Sequence, residues 1–126
     1  MAVSVIKKTD KFSDRAPTIS YNQTRYQTAN YCRAYVKSGW IFLSGYCCDN
    51  AAVTAGTVIV GVDNVYPMTT GASGVSSFSV PCQCDDGSCD FINIVPGETG
   101  LQIINGRQLS ANKYIRYTAA IPSLRT

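Results

Sequence analysis

The sequence of 126 residues predicts an all-β fold, an antiparallel β-sandwich of jelly-roll-like type with about eight strands and an extended N-terminal arm. Apolar residues recur with a period of two, in short runs that end at Gly, Pro, Asn or Asp. β-branched and aromatic residues fill these runs, and such residues favour a pleated surface. No window of about a dozen residues shows the apolar period of an amphipathic helix.

The candidate strands follow one another at nearly regular spacing. The first is AVSVI at 2–6, and the densest is YVKSGWIFLSGY at 35–46. The later runs lie at 57–62, 76–81, 89–95, 99–105 and 113–121. Four of these runs are predicted to place their apolar side chains on one face: Val58, Val60 and Val62; Ile92 and Ile94; Leu101 and Ile103; and Ile115, Tyr117 and Ala119.

The N-terminal part of the chain has a different composition. Residues 10–34 are polar and rich in Thr, Asn and Gln, with tyrosines interleaved. This segment is too aromatic for a flexible linker, so we predict an arm that packs on the domain or on a neighbour. The predicted division is an attachment arm at 1–33 and a β-sandwich domain at 34–126.

Charge and composition weigh against several functions. The net charge is only +3 and the longest basic run is Lys7-Lys8, so we expect no nucleic-acid partner. No apolar run approaches the roughly 20 residues of a membrane span. The sequence has no histidine and one glutamate, Glu98, which lowers the expectation of catalysis. We therefore predict a protein without enzymatic activity, catalytic residues, metal or cofactor.

Three cysteines lie close together in PCQCDDGSCD, residues 81–90. If Asp86-Gly87 forms a two-residue hairpin turn, Cys84 faces Cys89 with Cα atoms about 4.5 Å apart. Three interpretations remain open: small buried apolar side chains, a Cys84–Cys89 disulfide, or a zinc site. A zinc site would need a fourth ligand from Cys32, Cys47 or Cys48.

The order of motifs after residue 33 resembles a known family. The segments that carry the resemblance are GWIFLSGY (39–46), GTVIVGV (56–62), the DNVYP corner (63–67), INI (92–94), TGLQII (99–104) and KYIRYTAAIPS (113–123). Together they resemble the C-terminal β-sandwich head domain of tailed-phage fibre and baseplate proteins. That family has an L-P-x-x-Y-R-P corner, where this chain has Val62-Asp63 in place of Leu-Pro and lacks the Arg.

The resemblance implies a bacteriophage virion structural protein that acts by binding. Such heads form homotrimers, project from a tail fibre and contact host-cell saccharide. The expected location is the virion, assembled in host cytoplasm and then extracellular. Tyrosine supplies rigid contact area for partners. The candidate ligand or partner contacts are Tyr21, Tyr26, Tyr31, Tyr66 and Tyr114. Trp40, inside an apolar run, is predicted to pack in the core.

Two alternatives accompany this interpretation. A capsid or tail decoration protein, also called a cement protein, would stabilise the particle by binding other virion proteins through residues 1–33. A small enzyme or redox protein would need a cleft with perturbed carboxylates or a reactive thiol.

Overall fold

The structure, a computed structural model, describes residues 16–22, 29–68, 77–84, 89–106 and 108–124, without the side chains of Ala29 and Cys89. These residues form eight antiparallel strands and contain no helix, which confirms the all-β prediction. Accordingly, this part of the chain holds no long apolar helix of the kind that crosses a membrane.

All eight strands belong to one sheet, in the order β1-β4-β7-β6-β5-β8-β3-β2. Their bounds are β1 Thr18–Tyr21, β2 Ala29–Lys37, β3 Trp40–Cys48, β4 Val58–Asp63, β5 Phe78–Cys84, β6 Cys89–Pro96, β7 Gly100–Asn105 and β8 Ile115–Pro122. Neighbouring strands pair antiparallel throughout.

The sheet curls until its two edge strands, β1 and β2, meet. The Tyr21 hydroxyl accepts a hydrogen bond from the Cys32 amide at 3.2 Å and lies 3.4 Å from the Cys32 carbonyl oxygen. Asn30 Nδ2 donates to the Ile59 carbonyl oxygen at 3.0 Å, which joins β2 to β4. Side chains therefore close this seam, and the curled sheet encloses one core, an arrangement compatible with a sandwich-like fold.

Part of the predicted N-terminal arm belongs to this sheet. Within 1–33, residues 18–21 form β1 and residues 29–33 form the first half of β2. The role of 1–33 in attachment stays a prediction.

Alternating side chains fill the core as the sequence predicts. Ile92, Ile94, Leu101, Ile103 and Ile115 are all buried. Branched residues suit these inward positions because their stiff side chains pack well on a pleated surface.

One predicted face is interrupted within β4. The register shifts between Val58 and Val60, so Ile59, Val60 and Val62 are buried while Val58 is half-buried. An extra residue at such a bulge breaks the strict alternation of the strand.

Candidate functional site

In the part of the chain that the structure describes, most of the exposed aromatic side chains lie on the outer surface of β2, β3 and β8. We call this surface the aromatic face. Its outward positions are Tyr31, Arg33, Tyr35 and Lys37 on β2; Trp40, Phe42, Ser44 and Tyr46 on β3; and Arg116, Thr118 and Ala120 on β8, with Tyr114 just before β8.

Local sequence explains why these side chains face outward. Cys32, Ile41 and Leu43 are buried, and the period of two directs the residues between them to the other side. The turn between β2 and β3 is Ser38-Gly39, with φ of 55° and 81°. Two positive φ values make the tight turn that sets Lys37 opposite Trp40.

The aromatic rings contact one another across the strands. Tyr31 and Tyr46 stack with centroids 5.5 Å apart, and Tyr35 and Phe42 stack at 5.0 Å. Tyr46 also contacts Tyr114 at 5.9 Å in a tilted arrangement. Cross-strand pairs of this kind restrict the side-chain rotamers and stabilise the sheet.

These rings are nevertheless open to solvent. Tyr35 is 55% exposed and Trp40 is 44% exposed, while Tyr31, Tyr46 and Tyr114 are each more than a third exposed. A cluster of exposed aromatic rings with polar groups among them is typical of a site that binds a partner or ligand.

The charges on this face are all of one sign. Arg33, Lys37 and Arg116 lie among the rings, and β2, β3 and β8 contain no Asp or Glu. The aromatic face is therefore both aromatic and positively charged.

The structure brings together two of the five tyrosines that the sequence singles out. Tyr31 and Tyr114 both contact Tyr46 on the aromatic face. Tyr21 lies at the β1–β2 seam, and half-buried Tyr66 follows β4, where its carbonyl accepts from the Leu124 amide. Tyr26 lies outside the described residues. Contact of any of them with a ligand stays a prediction.

Sequence reasoning missed the other aromatic members of the face. Tyr35, Phe42 and Tyr46 were not singled out, and the prediction that Trp40 packs in the core is wrong, because its side chain is exposed. Strict alternation along β3 with buried Ile41 and Leu43 is the signal that places Trp40, Phe42 and Tyr46 on the outside.

The cysteine hairpin has a different register from the predicted one. Gln83, rather than Cys84, lies opposite Cys89. β5 is also paired with β8, where Gln83 meets Arg116, and Cys82 is buried in the core. Burial of one face of a strand fixes its register. The observed register of β5 and β6 is not the one that a two-residue turn at Asp86-Gly87 would give.

Cys84 is the last residue of β5, and its side chain is half-buried. The side chain of Cys89 lies outside those described, so a Cys84–Cys89 disulfide stays a prediction. The part of the chain that the structure describes holds no group of three or more side chains able to bind a metal ion.

Cys32 and Tyr117 form a buried polar pair beneath the aromatic face. Burial raises the pKa of the Cys32 thiol. Burial, together with the neighbouring Cys32, raises the pKa of Tyr117 far above its ordinary range. Both groups are therefore neutral at physiological pH, and Cys32 lacks the thiolate character of a reactive cysteine.

These raised pKa values predict a loss of stability in alkali. The unfolded chain ionises Cys near pH 8.5 and Tyr near pH 10, whereas the folded chain keeps both groups protonated to higher pH. Their contribution is therefore complete below those values and falls as pH rises. We expect Tyr117→Phe to flatten the decline of unfolding free energy between about pH 9 and 11.

Urea unfolding at pH 7, 9, 10 and 11 measures this decline. Tyr114→Phe is the matched control, because it removes the same hydroxyl from an exposed ring. A pH slope for Tyr117→Phe equal to that of the unsubstituted chain would contradict the assignment.

A concave surface lies along β4 and β7, apart from the aromatic face. This groove encloses about 430 Å³, and its lining includes Ser20, Asp63, Glu98, Thr99 and Gln102. Asp63 and Glu98 are both exposed.

Comparisons of the chain with protein-family models, with curated proteins and with solved structures found no match. Fold and site together define an all-β domain with an exposed, aromatic and basic sheet face.

Proposed function

We propose that this chain is a non-enzymatic structural protein of a bacteriophage particle, a fibre-type head domain that attaches to saccharide on the host surface through the aromatic face. The observation that supports binding is the cluster of exposed rings on one sheet face: Tyr31, Tyr35, Trp40, Tyr46 and Tyr114. Placement on a phage particle is supported by the sequence resemblance to fibre heads.

The chemistry of the aromatic face suits sugars. A sugar ring presents apolar C–H groups on its faces and hydroxyls around its rim. The exposed rings offer apolar contact area, and the tyrosine hydroxyls with Ser44 and Thr118 offer hydrogen bonds. Since the rings already hold one another in place, binding costs little side-chain entropy.

Weak single contacts are sufficient for attachment to a cell. A homotrimeric head presents three such faces, and several heads on one particle present more. Linked sites bind with an avidity far above that of one site.

The resemblance to fibre heads implies a homotrimer. We expect the purified protein to sediment as a trimer in analytical ultracentrifugation.

Removing exposed rings is expected to weaken saccharide binding without unfolding the domain. We predict that Tyr35→Ala and Trp40→Ala each reduce affinity about tenfold, because exposed aromatic anchors dominate binding energy. A glycan array would identify the ligand, and titration calorimetry would compare the variants.

Phe91→Ala is the matched control for this experiment. Phe91 is 36% exposed on β6, outside the aromatic face. Equal weakening by Phe91→Ala, or no glycan bound by the unsubstituted chain, would contradict the proposal.

Location on a particle needs a separate measurement. Immunogold electron microscopy of purified particles is expected to place the chain at the tail or fibre. The chain could stay on the particle when the exposed rings of the aromatic face are replaced, and leave it when residues 1–15 are deleted. That result would favour a decoration protein instead.

A further inference from the structure

We propose that the aromatic face is specific for an acidic, carboxylate-bearing polysaccharide that lies along β2. This inference rests on the proposed function and names the class of saccharide that the face would select.

The outward side of β2 alternates rings and cations. Its residues in order are Tyr31, Arg33, Tyr35 and Lys37. Outward positions on a strand are two residues apart, so each ring is followed by a cation about 7 Å further along. An extended acidic polysaccharide presents the complementary pattern, because its apolar ring faces and carboxylates also recur along its length.

β3 and β8 complete this pattern on one side of β2. Tyr46, Ser44, Phe42 and Trp40 lie opposite the four outward residues of β2 in turn. Arg116 on β8 lies opposite Tyr46 and adds a third cation. Each cation on the face therefore has an aromatic ring or a hydroxyl beside it. A sugar acid presents matching groups, a carboxylate next to a ring with C–H and hydroxyl groups.

The charge of the face selects an anion. β2, β3 and β8 contain no Asp or Glu that would neutralise Arg33, Lys37 or Arg116. A guanidinium such as that of Arg33 can bind a carboxylate through two parallel hydrogen bonds, which a neutral sugar cannot accept in the same way. Among the residues that the structure describes, the exposed carboxylates are Asp63 and Glu98, and both lie instead along β4 and β7.

A polysaccharide fits these features better than single-stranded nucleic acid. Affinity for nucleic acid grows with the number of phosphates neutralised, and this face offers three cations in a chain of net charge +3. Within two ring pairs of this face, the two rings are already stacked on each other, with centroids 5.0 and 5.5 Å apart. No base can therefore insert between the rings of either pair.

A second copy of the chain is a poorer occupant for electrostatic reasons. Two such faces related by a two-fold axis would bring cations against cations. Like charges across an interface oppose association.

The test compares three probes by titration calorimetry with the full chain. The probes are an oligouronate prepared from alginate, a neutral oligoglucan of the same length, and single-stranded oligo-dT. We expect the oligouronate to bind at least about tenfold more tightly than the neutral oligomer, and its affinity to fall as salt is added.

Charge variants locate the interaction. Arg33→Gln is expected to weaken oligouronate binding about tenfold, and Arg33→Lys to retain part of the affinity. Lys113→Gln removes the same charge just outside the three strands and is expected to leave binding unchanged. Circular dichroism and thermal unfolding verify that each variant is folded.

The outcomes separate this inference from the proposed function. Equal binding of acidic and neutral oligomers, with no effect of Arg33→Gln, would overturn the acidic class and leave saccharide attachment intact. No binding of either oligomer would overturn both. Tighter binding of oligo-dT, or self-association that Tyr35→Ala abolishes, would overturn the inference in favour of nucleic acid or a subunit interface.

Discussion

Replacement of Gly45 by alanine is expected to destabilise the domain by about 3 kcal/mol. Gly45 lies within β3, opposite Cys32 on β2 and Tyr117 on β8. An added Cβ would collide with the Tyr31 carbonyl oxygen and would lie 2.5 Å from the Tyr117 hydroxyl. The main-chain carbonyl cannot move away without disturbing the β2–β3 ladder.

Gly61→Ala is the matched control for this substitution. Gly61 also lies within a strand, but the nearest atoms to its added Cβ belong to Ser20 at 3.9 Å, an ordinary contact. We expect a change below about 1 kcal/mol, since alanine also reduces the flexibility of the unfolded chain. Urea unfolding followed by the fluorescence of Trp40 measures both variants. An equal loss at both positions would rule out crowding at Gly45 as the cause.

The sequence predicts the inner faces of the strands well where each strand is regular. Ile92, Ile94, Leu101 and Ile103 alternate strictly with other residues, and all four are buried as expected. Half-buried antiparallel strands give this clean signal because one face meets the core and the other meets water.

Features that depend on distant neighbours could not be predicted in this way. The bulge in β4 and the register of β5 are fixed by pairing partners far along the chain. The seam where Tyr21 contacts Cys32 likewise joins the two edge strands of a curled sheet. Periodicity within one segment carries no information about these contacts.

The aromatic face was only partly predictable, for a local reason. The inward residues of β2 are Cys32, Ala34 and Val36, which are small, so the strand has little apolar contrast. Its first half lies in a polar segment that resembles an arm by composition. The sequence favours the core for Trp40 because large apolar residues usually pack there, although its neighbours Ile41 and Leu43 occupy the inward positions.

Asn105→Asp is expected to destabilise the domain by about 3 kcal/mol at pH 7. Asn105 is buried at the end of β7 and fastens the loop before β4. Its Nδ2 donates to the carbonyl oxygens of Val53 at 3.2 Å and Thr54 at 2.8 Å. An ionised carboxylate has no donor, so it would instead face these two oxygens without hydrogen bonds to them.

The same substitution is expected to depend on pH. Burial would raise the pKa of the new carboxyl group above that in the unfolded chain. The unfolded chain ionises this group near pH 4, whereas the folded chain keeps it protonated, and able to donate one hydrogen bond, to higher pH. The loss of stability should therefore be smallest at pH 4 and should grow toward pH 7. Urea unfolding at pH 4 and pH 7 measures this difference.

Asn93→Asp provides the control, because the Asn93 side chain accepts a hydrogen bond where the Asn105 side chain donates two. Asn93 Oδ1 is 2.9 Å from Ser79 Oγ and accepts its hydrogen bond, and a carboxylate oxygen can accept the same bond. We expect a change below about 1 kcal/mol at either pH. A loss at Asn105 that matches the loss at Asn93, or that does not change with pH, would show that the two donated hydrogen bonds do not hold the loop.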